Sequence, residues 1–133
     1  MTVHQILQPP DWPRPKGYAN GVAATGRMVF TGGVVGWDAD ERFVAEDFAG
    51  QFRQVALNTL AILAEAGAAP EHIVRMTWYV VSRNEYLAAV KEVGAAYREL
   101  FGRHFPAMAV VEVTALIEPA ARLEIETTAV LPG

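Results

Sequence analysis

Cysteine is absent from this chain of 133 residues. Its absence excludes disulfide bonds, thiolate metal ligands and a cysteine nucleophile together. Charged residues are also scarce, at 20% of the chain against 52% hydrophobic residues. Because a small monomer has a large surface that must be covered by polar groups, this balance indicates that part of the surface is buried by oligomerisation.

Excess positive charge is missing as well, because the formal net charge is −4. Such a chain has no long-range attraction to phosphate backbones or to anionic membranes. The first residues lack a basic stretch followed by a long apolar one, and no uncharged run approaches the roughly 20 residues of a membrane span. We therefore expect a cytoplasmic protein with neither a nucleic acid nor a membrane as partner.

The length favours a single domain over residues 1–133. Four of the eight prolines lie in the first seventeen residues, which predicts an extended lead-in. Two apolar pieces between Asn20 and Val35 are separated by Thr25-Gly26-Arg27, a spacing that predicts a β-hairpin. Gly32 and Gly33 interrupt the second piece, which is typical of a bulge or of a close approach by backbone or ligand.

Helical and strand periods then alternate along the rest of the chain. Apolar residues at helical spacing predict helices over residues 47–67 and 84–101, and β-branched or alternating residues predict strands over 73–81, 108–116 and 122–130. The order β-β-α-β-α-β-β predicts an α+β fold with two helices on one face of a sheet. Both sheet faces are largely apolar in this prediction, so a second copy of the chain is expected to cover the free face.

Five segments resemble, in order, the signatures of the Rid family, also called the YjgF or L-PSP endoribonuclease family. They are "KGYANG", "MVFTGGVVG", "QVALNTLAILAEAGAAPEHIVRMTWYV", "FPAMAVVEVTAL" and "LEIETTAV". The resemblance implies a homotrimer with a chorismate-mutase-like fold and a site in the cleft between protomers. It also implies hydrolysis of imines and enamines of the 2-aminoacrylate type, without a cofactor. Tyr18, Gly33 and Glu124 match the family pattern.

Four positions depart from that pattern. Gly32 stands in place of a serine, Gly94 in place of an asparagine, Met108 in place of the arginine that binds the substrate carboxylate, and Val110 in place of a small polar residue or cysteine. A methionine cannot make the bidentate, charge-assisted contact that an arginine makes to a carboxylate. We therefore expect an apolar floor to the pocket and little activity as a deaminase of small 2-imino acids.

Several residues allow both a functional and a structural interpretation. Glu124 either positions and activates a water molecule or belongs, with Glu126, to a solvated or salt-bridged strand face. Tyr18 either closes the cleft or packs in an interface, and Gly32-Gly33 either present backbone groups to a ligand or form a bulge. Trp37 is interpreted as a pocket-lining residue, with a subunit contact as the alternative.

The remaining polar candidates favour structural roles. His4, His72 and His104 lack the spacing of metal ligands, so a zinc site is not expected, although His104 is a candidate replacement for the missing cation. The acidic run from Asp38 to Asp47 indicates a solvated loop, and Asn58 a polar contact to a neighbouring backbone.

The sequence thus predicts a Rid-like homotrimer that binds or hydrolyses a small enamine, imine or related carbonyl metabolite, with Glu124 as the catalytic residue. The alternative is a ligand-binding or regulatory trimer without catalysis. RNA cleavage ranks last, because it needs a basic groove that the composition does not supply.

Overall fold

The computed structural model describes residues 3–132, which form two helices and six strands. The helices are α1 (Phe48–Glu65) and α2 (Arg83–Phe101), and the strands are β1 (Gln5–Leu7), β2 (Gly21–Ala23), β3 (Arg27–Phe30), β4 (Ile73–Val80), β5 (Ala107–Glu112) and β6 (Leu123–Leu131). A short 3₁₀ turn, Pro70–His72, precedes β4. Neither helix of the described chain is long and apolar enough to cross a membrane.

The main sheet has the strand order β3-β6-β4-β5. β4 and β5 are parallel and are joined through α2, whereas β6 is antiparallel to both β3 and β4. The two helices pack on one face of this sheet, as the contacts of α1 with α2 and with β6 show. The predicted α+β fold with two helices on one face is therefore confirmed.

Both helices begin and end where local chemistry favours it. The side chain of Asp47 accepts a hydrogen bond from the Gly50 amide at 3.2 Å, and Ser82 accepts one from the Glu85 amide at 3.2 Å. Each cap satisfies a backbone donor that has no partner within the helix. Gly102 ends α2 with a positive φ of 73°, a conformation that side chains other than glycine rarely adopt.

The predicted hairpin between Asn20 and Val35 is wrong. β2 pairs with β1, whereas β3 pairs with β6, so the two apolar pieces belong to different sheets. Gly26 lies between them at a close approach, since a Cβ there would lie 1.9 Å from the Leu131 carbonyl oxygen. The chain passes directly against the end of β6 at this point. The predicted extended lead-in contains a strand, β1, which ends at Leu7, two residues before the first proline.

The free face of the sheet is less apolar than predicted. Side-chain alternation places Met76, Trp78 and Val80 of β4 in the core and leaves Thr77 and Tyr79 on the free face. Polar residues of β6 continue this row: Glu124, Glu126 and Thr128. Large apolar side chains gather at the β3 edge instead, namely Met28 and Phe30, which are 58% and 65% exposed.

Candidate functional site

A cleft of about 590 Å³ lies between β5 and α2 on the helix side of the sheet, and we call it the β5–α2 cleft. The parallel register places Met108 beside Met76 and Val110 beside Trp78, so both β5 residues face the helices. Tyr18 lines the cleft from the segment that precedes β2. Tyr18, Met108 and Val110, three of the residues predicted to bind substrate, therefore share one cleft with an apolar floor.

Trp78 joins this cleft to the core. Its ring stacks on Phe52 with centroids 4.9 Å apart and meets Tyr86 edge to face at 6.2 Å. Although the residue is only 3% exposed, its indole Nε1 has no hydrogen-bond partner. A buried donor without a partner costs free energy. The Trp78 Nε1–H is therefore an unsatisfied hydrogen-bond donor in a residue that lines the cleft. Burial also raises the pKa of Tyr86.

The rim of the β5–α2 cleft carries positive charge. Lys16, Arg98 and Arg103 line it, whereas no aspartate or glutamate of the described chain does. The two ion pairs of residues 3–132, Arg53–Glu99 and Arg122–Glu85, involve none of these three cations. The local charge is thus opposite in sign to the net charge of −4 of the chain.

Glu124 lies on the other face of the sheet, where it is the register partner of Tyr79. Gly33 packs against it so closely that a Cβ at this glycine would lie 2.0 Å from Glu124 Oε2. Reciprocal backbone hydrogen bonds between Val34 and Ile125, at 2.9 and 3.0 Å, hold the Gly33 segment along β6. Because Gly33 has no side chain, it leaves room for the Glu124 carboxylate in this position.

The two glutamates of β6 differ in their partners. Tyr79 donates a hydrogen bond from its hydroxyl to Glu126 Oε1 at 2.8 Å, and this bond is the main reason why the pKa of Tyr79 is raised. The half-buried Glu124 makes no hydrogen bond or ion pair through its carboxylate within residues 3–132. Glu124 is thus the one of the pair that remains available to water or a ligand.

The predicted site residues consequently form two groups in a single chain. Tyr18, Met108 and Val110 line the β5–α2 cleft, while Gly33 and Glu124 lie on the opposite face of the sheet. Because the sheet separates them, one chain does not bring the two groups into contact. A site that uses both groups requires two protomers.

The chain resembles known proteins both in sequence and in structure. The family model described as Endoribonuclease L-PSP matches residues 13–131. The chain belongs to this family. A protein of unknown function of the conserved Rid protein family from Yersinia pestis has a similar structure, with a TM-score of 0.83, 30% identity, and coverage of 96% of this chain and 98% of that one. The Rid family resemblance of the sequence is thereby confirmed.

Two relatives by sequence illustrate the range of names in the Rid family. A protein of Salmonella typhimurium named 2-iminobutanoate/2-iminopropanoate deaminase is 37% identical over 116 residues, which cover 85% of this chain and 86% of the relative. A RutC family protein of Synechocystis is 30% identical over 135 residues, covering 96% and 97%. Some relatives of this chain are therefore named as imine deaminases, while others carry only a family name.

Two other predicted site residues, Trp37 and Gly32, belong to neither group. The ring of Trp37 packs on Phe43 with centroids 5.9 Å apart, and its carbonyl accepts a hydrogen bond from Asn58 at 2.7 Å. It does not line the β5–α2 cleft. A Cβ at Gly32 would have no atom within 4 Å, so this position opens onto free space. Asn58 contacts neighbouring backbone, as predicted.

The histidines take structural places in the described chain. The carbonyl of His104 accepts a hydrogen bond from the Tyr97 hydroxyl at 2.6 Å, and its side chain lines a second cavity of about 420 Å³ next to the cleft. His4 Nε2 lies 3.2 Å from the His72 carbonyl oxygen. No group of three or more potential metal ligands occurs within residues 3–132.

Sequence reasoning missed the contributions of Lys16, Trp78, Arg98 and Arg103 to the cleft. One signal was present, because Gly94 and Arg98 are four residues apart on a predicted helix and therefore share a face. The orientation of Trp78 could not be read in this way, since it depends on which face of β4 the helices cover.

Proposed function

We propose that this Rid family protein is a homotrimer that hydrolyses a small enamine or imine in a site between two protomers. One protomer supplies the β5–α2 cleft, and its neighbour supplies Glu124 beside Gly33. The observation that carries the proposal is the Glu124 carboxylate, which is half-buried, held in place by Gly33 and without a partner in the described chain. Its position on the face opposite the cleft supports a site made by two chains.

Glu124 has the chemistry that imine hydrolysis needs. Its carboxylate takes a proton from a water molecule as the water oxygen attacks the carbon of the protonated C=N bond. The carbinolamine nitrogen receives this proton back from Glu124. The C–N bond then breaks as the hydroxyl proton passes to the Glu124 carboxylate, and ammonia leaves as the carbonyl forms. The proton on Glu124 is finally released to water. An enamine enters the same sequence after it is protonated on carbon. Each turnover consumes one water and yields one carbonyl compound and one ammonia.

Met108 limits which substrates this site accepts. The thioether contributes apolar contact area but no charge, so a small 2-imino acid finds no bidentate partner on the floor of the cleft. The apolar neighbours of Met108, including Val110, Phe105 and Trp78, favour a substrate with a larger apolar group. This specificity separates the chain from its relatives that are named 2-iminobutanoate/2-iminopropanoate deaminases.

The proposed trimer leads to a first prediction. The exposed Met28 and Phe30 at the edge of the free face are expected to be buried between protomers, because exposed apolar patches of this kind usually mark interaction surfaces. Light scattering at micromolar concentration should therefore give three times the chain mass. A monomeric mass would contradict both the trimer and the shared site.

The second prediction concerns 2-aminoacrylate generated in the assay. We expect little or no acceleration of its hydrolysis by this protein, because Met108 offers no charge on the floor of the cleft and 2-aminoacrylate has no large apolar group to pack there. Met108→Arg should introduce activity on this substrate, measured as the rate of 2-oxo acid formation. Turnover by the unsubstituted chain equal to that of the Salmonella typhimurium relative would show that another cation anchors small substrates.

The main alternative is a trimer that binds a ligand without catalysis, and Met108 is the observation that favours it. Screening for turnover of imines with apolar side chains separates the two functions. RNA cleavage is disfavoured because the net charge of −4 gives the chain no long-range attraction to a phosphate backbone.

A further inference from the structure

The β5–α2 cleft combines an apolar floor with cations at its rim, although the arginine expected on the floor is absent. Met108 and Val110 supply the floor, and Arg98 projects from α2. A ligand with a carboxylate at one end and an apolar body at the other would match this distribution of charge. Neither a short carboxylate nor an uncharged apolar molecule uses both parts.

Gly94 explains how Arg98 reaches this place. A Cβ at Gly94 would lie 3.3 Å from Arg98 Nη1, a closer approach than most real Cβ atoms make. The guanidinium therefore lies over the bare backbone of α2 one turn before its own Cα. An asparagine at position 94, as in the family pattern, would compete for the same space. The two departures from the family pattern thus belong together. Met108 removes the arginine from the floor of the cleft, and Gly94 makes room for the Arg98 guanidinium at its wall.

A second observation points to an acceptor in the same cleft. The indole Nε1 of Trp78 is buried and has no partner in the described chain, and Trp78 lines the cleft beside Val110. Buried donors are nearly always paired in folded proteins. Trp78 therefore brings one polar atom to a part of the cleft wall that is otherwise apolar.

We infer that Arg98 is the carboxylate-binding residue of this chain and that the cleft selects carboxylates with a large apolar body. The inference rests on the proposed function in naming the substrate class for the same cleft, that is, imines or enamines of 2-oxo acids with aromatic or long aliphatic side chains. Arg98 supplies the positive charge of the arginine expected at position 108, but it does so from α2 and not from the floor on β5. The ligand is consequently bound with its charged end toward α2 and its apolar body on Met108.

Equilibrium binding of three stable probes tests this inference without any need for turnover. The probes are 3-phenylpropanoate, its uncharged analogue 3-phenylpropanamide, and propanoate, each titrated by calorimetry at one fixed ionic strength. We expect 3-phenylpropanoate to bind at least tenfold more tightly than either of the others, because only it uses both the cation and the floor.

The Arg98→Met variant assigns the charge contact. It should weaken 3-phenylpropanoate about tenfold to a hundredfold, as the loss of a charge-assisted hydrogen bond does, and leave 3-phenylpropanamide within twofold. Arg83→Met is the matched control, since Arg83 lies on the same helix but does not line the cleft. Gly94→Asn should weaken the carboxylate probe in the same selective way as Arg98→Met.

Three outcomes would overturn the inference. Equal weakening of the charged and the uncharged probe by Arg98→Met would show that Arg98 acts by packing. Selective weakening by Lys16→Met or Arg103→Met, but not by Arg98→Met, would assign the carboxylate to another cation. Propanoate binding as tight as that of 3-phenylpropanoate would show that the apolar floor contributes nothing to affinity. Because these titrations measure no catalysis, a catalytically silent chain would leave the result on Arg98 unchanged.

Discussion

Glu124→Gln is expected to lower the turnover of any imine or enamine substrate of this protein by about a hundredfold or more. Glutamine preserves the size of the side chain and its fit against Gly33, but it cannot accept a proton from water. The proposed trimer should stay intact, because glutamine adds no volume next to Gly33, where there is no room for even one extra carbon atom. Steady-state rates of ammonia release measure the effect.

Glu126→Gln is the matched control, since it makes the same chemical change two residues along β6. Glu126 already accepts the Tyr79 hydroxyl at 2.8 Å, and a glutamine oxygen can accept the same bond. Turnover should therefore fall by less than about tenfold. If the two variants behave alike, or if Glu124→Gln keeps full activity, Glu124 is structural and the non-catalytic alternative is the better description.

The helices and long strands could be predicted because each has a strong local signal. Helix α1 was expected over residues 47–67 and spans Phe48–Glu65, with Asp47 as its cap. Strand pairing carried no such signal. β2 and β3 are short pieces on either side of a turn-like sequence, and a hairpin was the natural interpretation. β2 instead pairs with β1 and β3 with the distant β6, pairings that the local sequence does not reveal.

Candidate site residues could be named from the sequence, but the face of the sheet on which each of them lies could not. Alternation along one strand tells which side chains share a face with each other, as it did for Glu124 and Glu126. It does not tell whether that face is the one shared with Met108 on another strand. That relation depends on the register of β4 with both β5 and β6, which are far apart in sequence. The resemblance implied a cleft between protomers, but only the structure shows that the sheet of one chain separates Glu124 from Met108.

Gln51→Ala is expected to lower the free energy of unfolding by about 3 kcal/mol, the largest effect on stability that we predict for a polar side chain. Gln51 is 1% exposed, and its Nε2 donates to the carbonyls of Ala45 and Ala120 at 3.1 and 2.9 Å. Its Oε1 accepts from the Arg122 amide at 2.7 Å. Truncation leaves these backbone groups buried without partners, which costs more than the bonds themselves contribute.

Gln54→Ala provides the matched control on the same helix, because Gln54 is only half-buried and donates a single side-chain bond to Asn58 at 2.8 Å. Urea unfolding at one protein concentration should show a midpoint lower by roughly 1–2 M for Gln51→Ala and by less than half of that for Gln54→Ala. Equal midpoints for the two variants would show that the Gln51 network contributes little.

Since Gln51 fixes Arg122, two residues before Glu124, its loss should also displace the start of β6. Gln51→Ala is therefore expected to lower turnover at temperatures where the trimer is still folded, whereas Gln54→Ala should not.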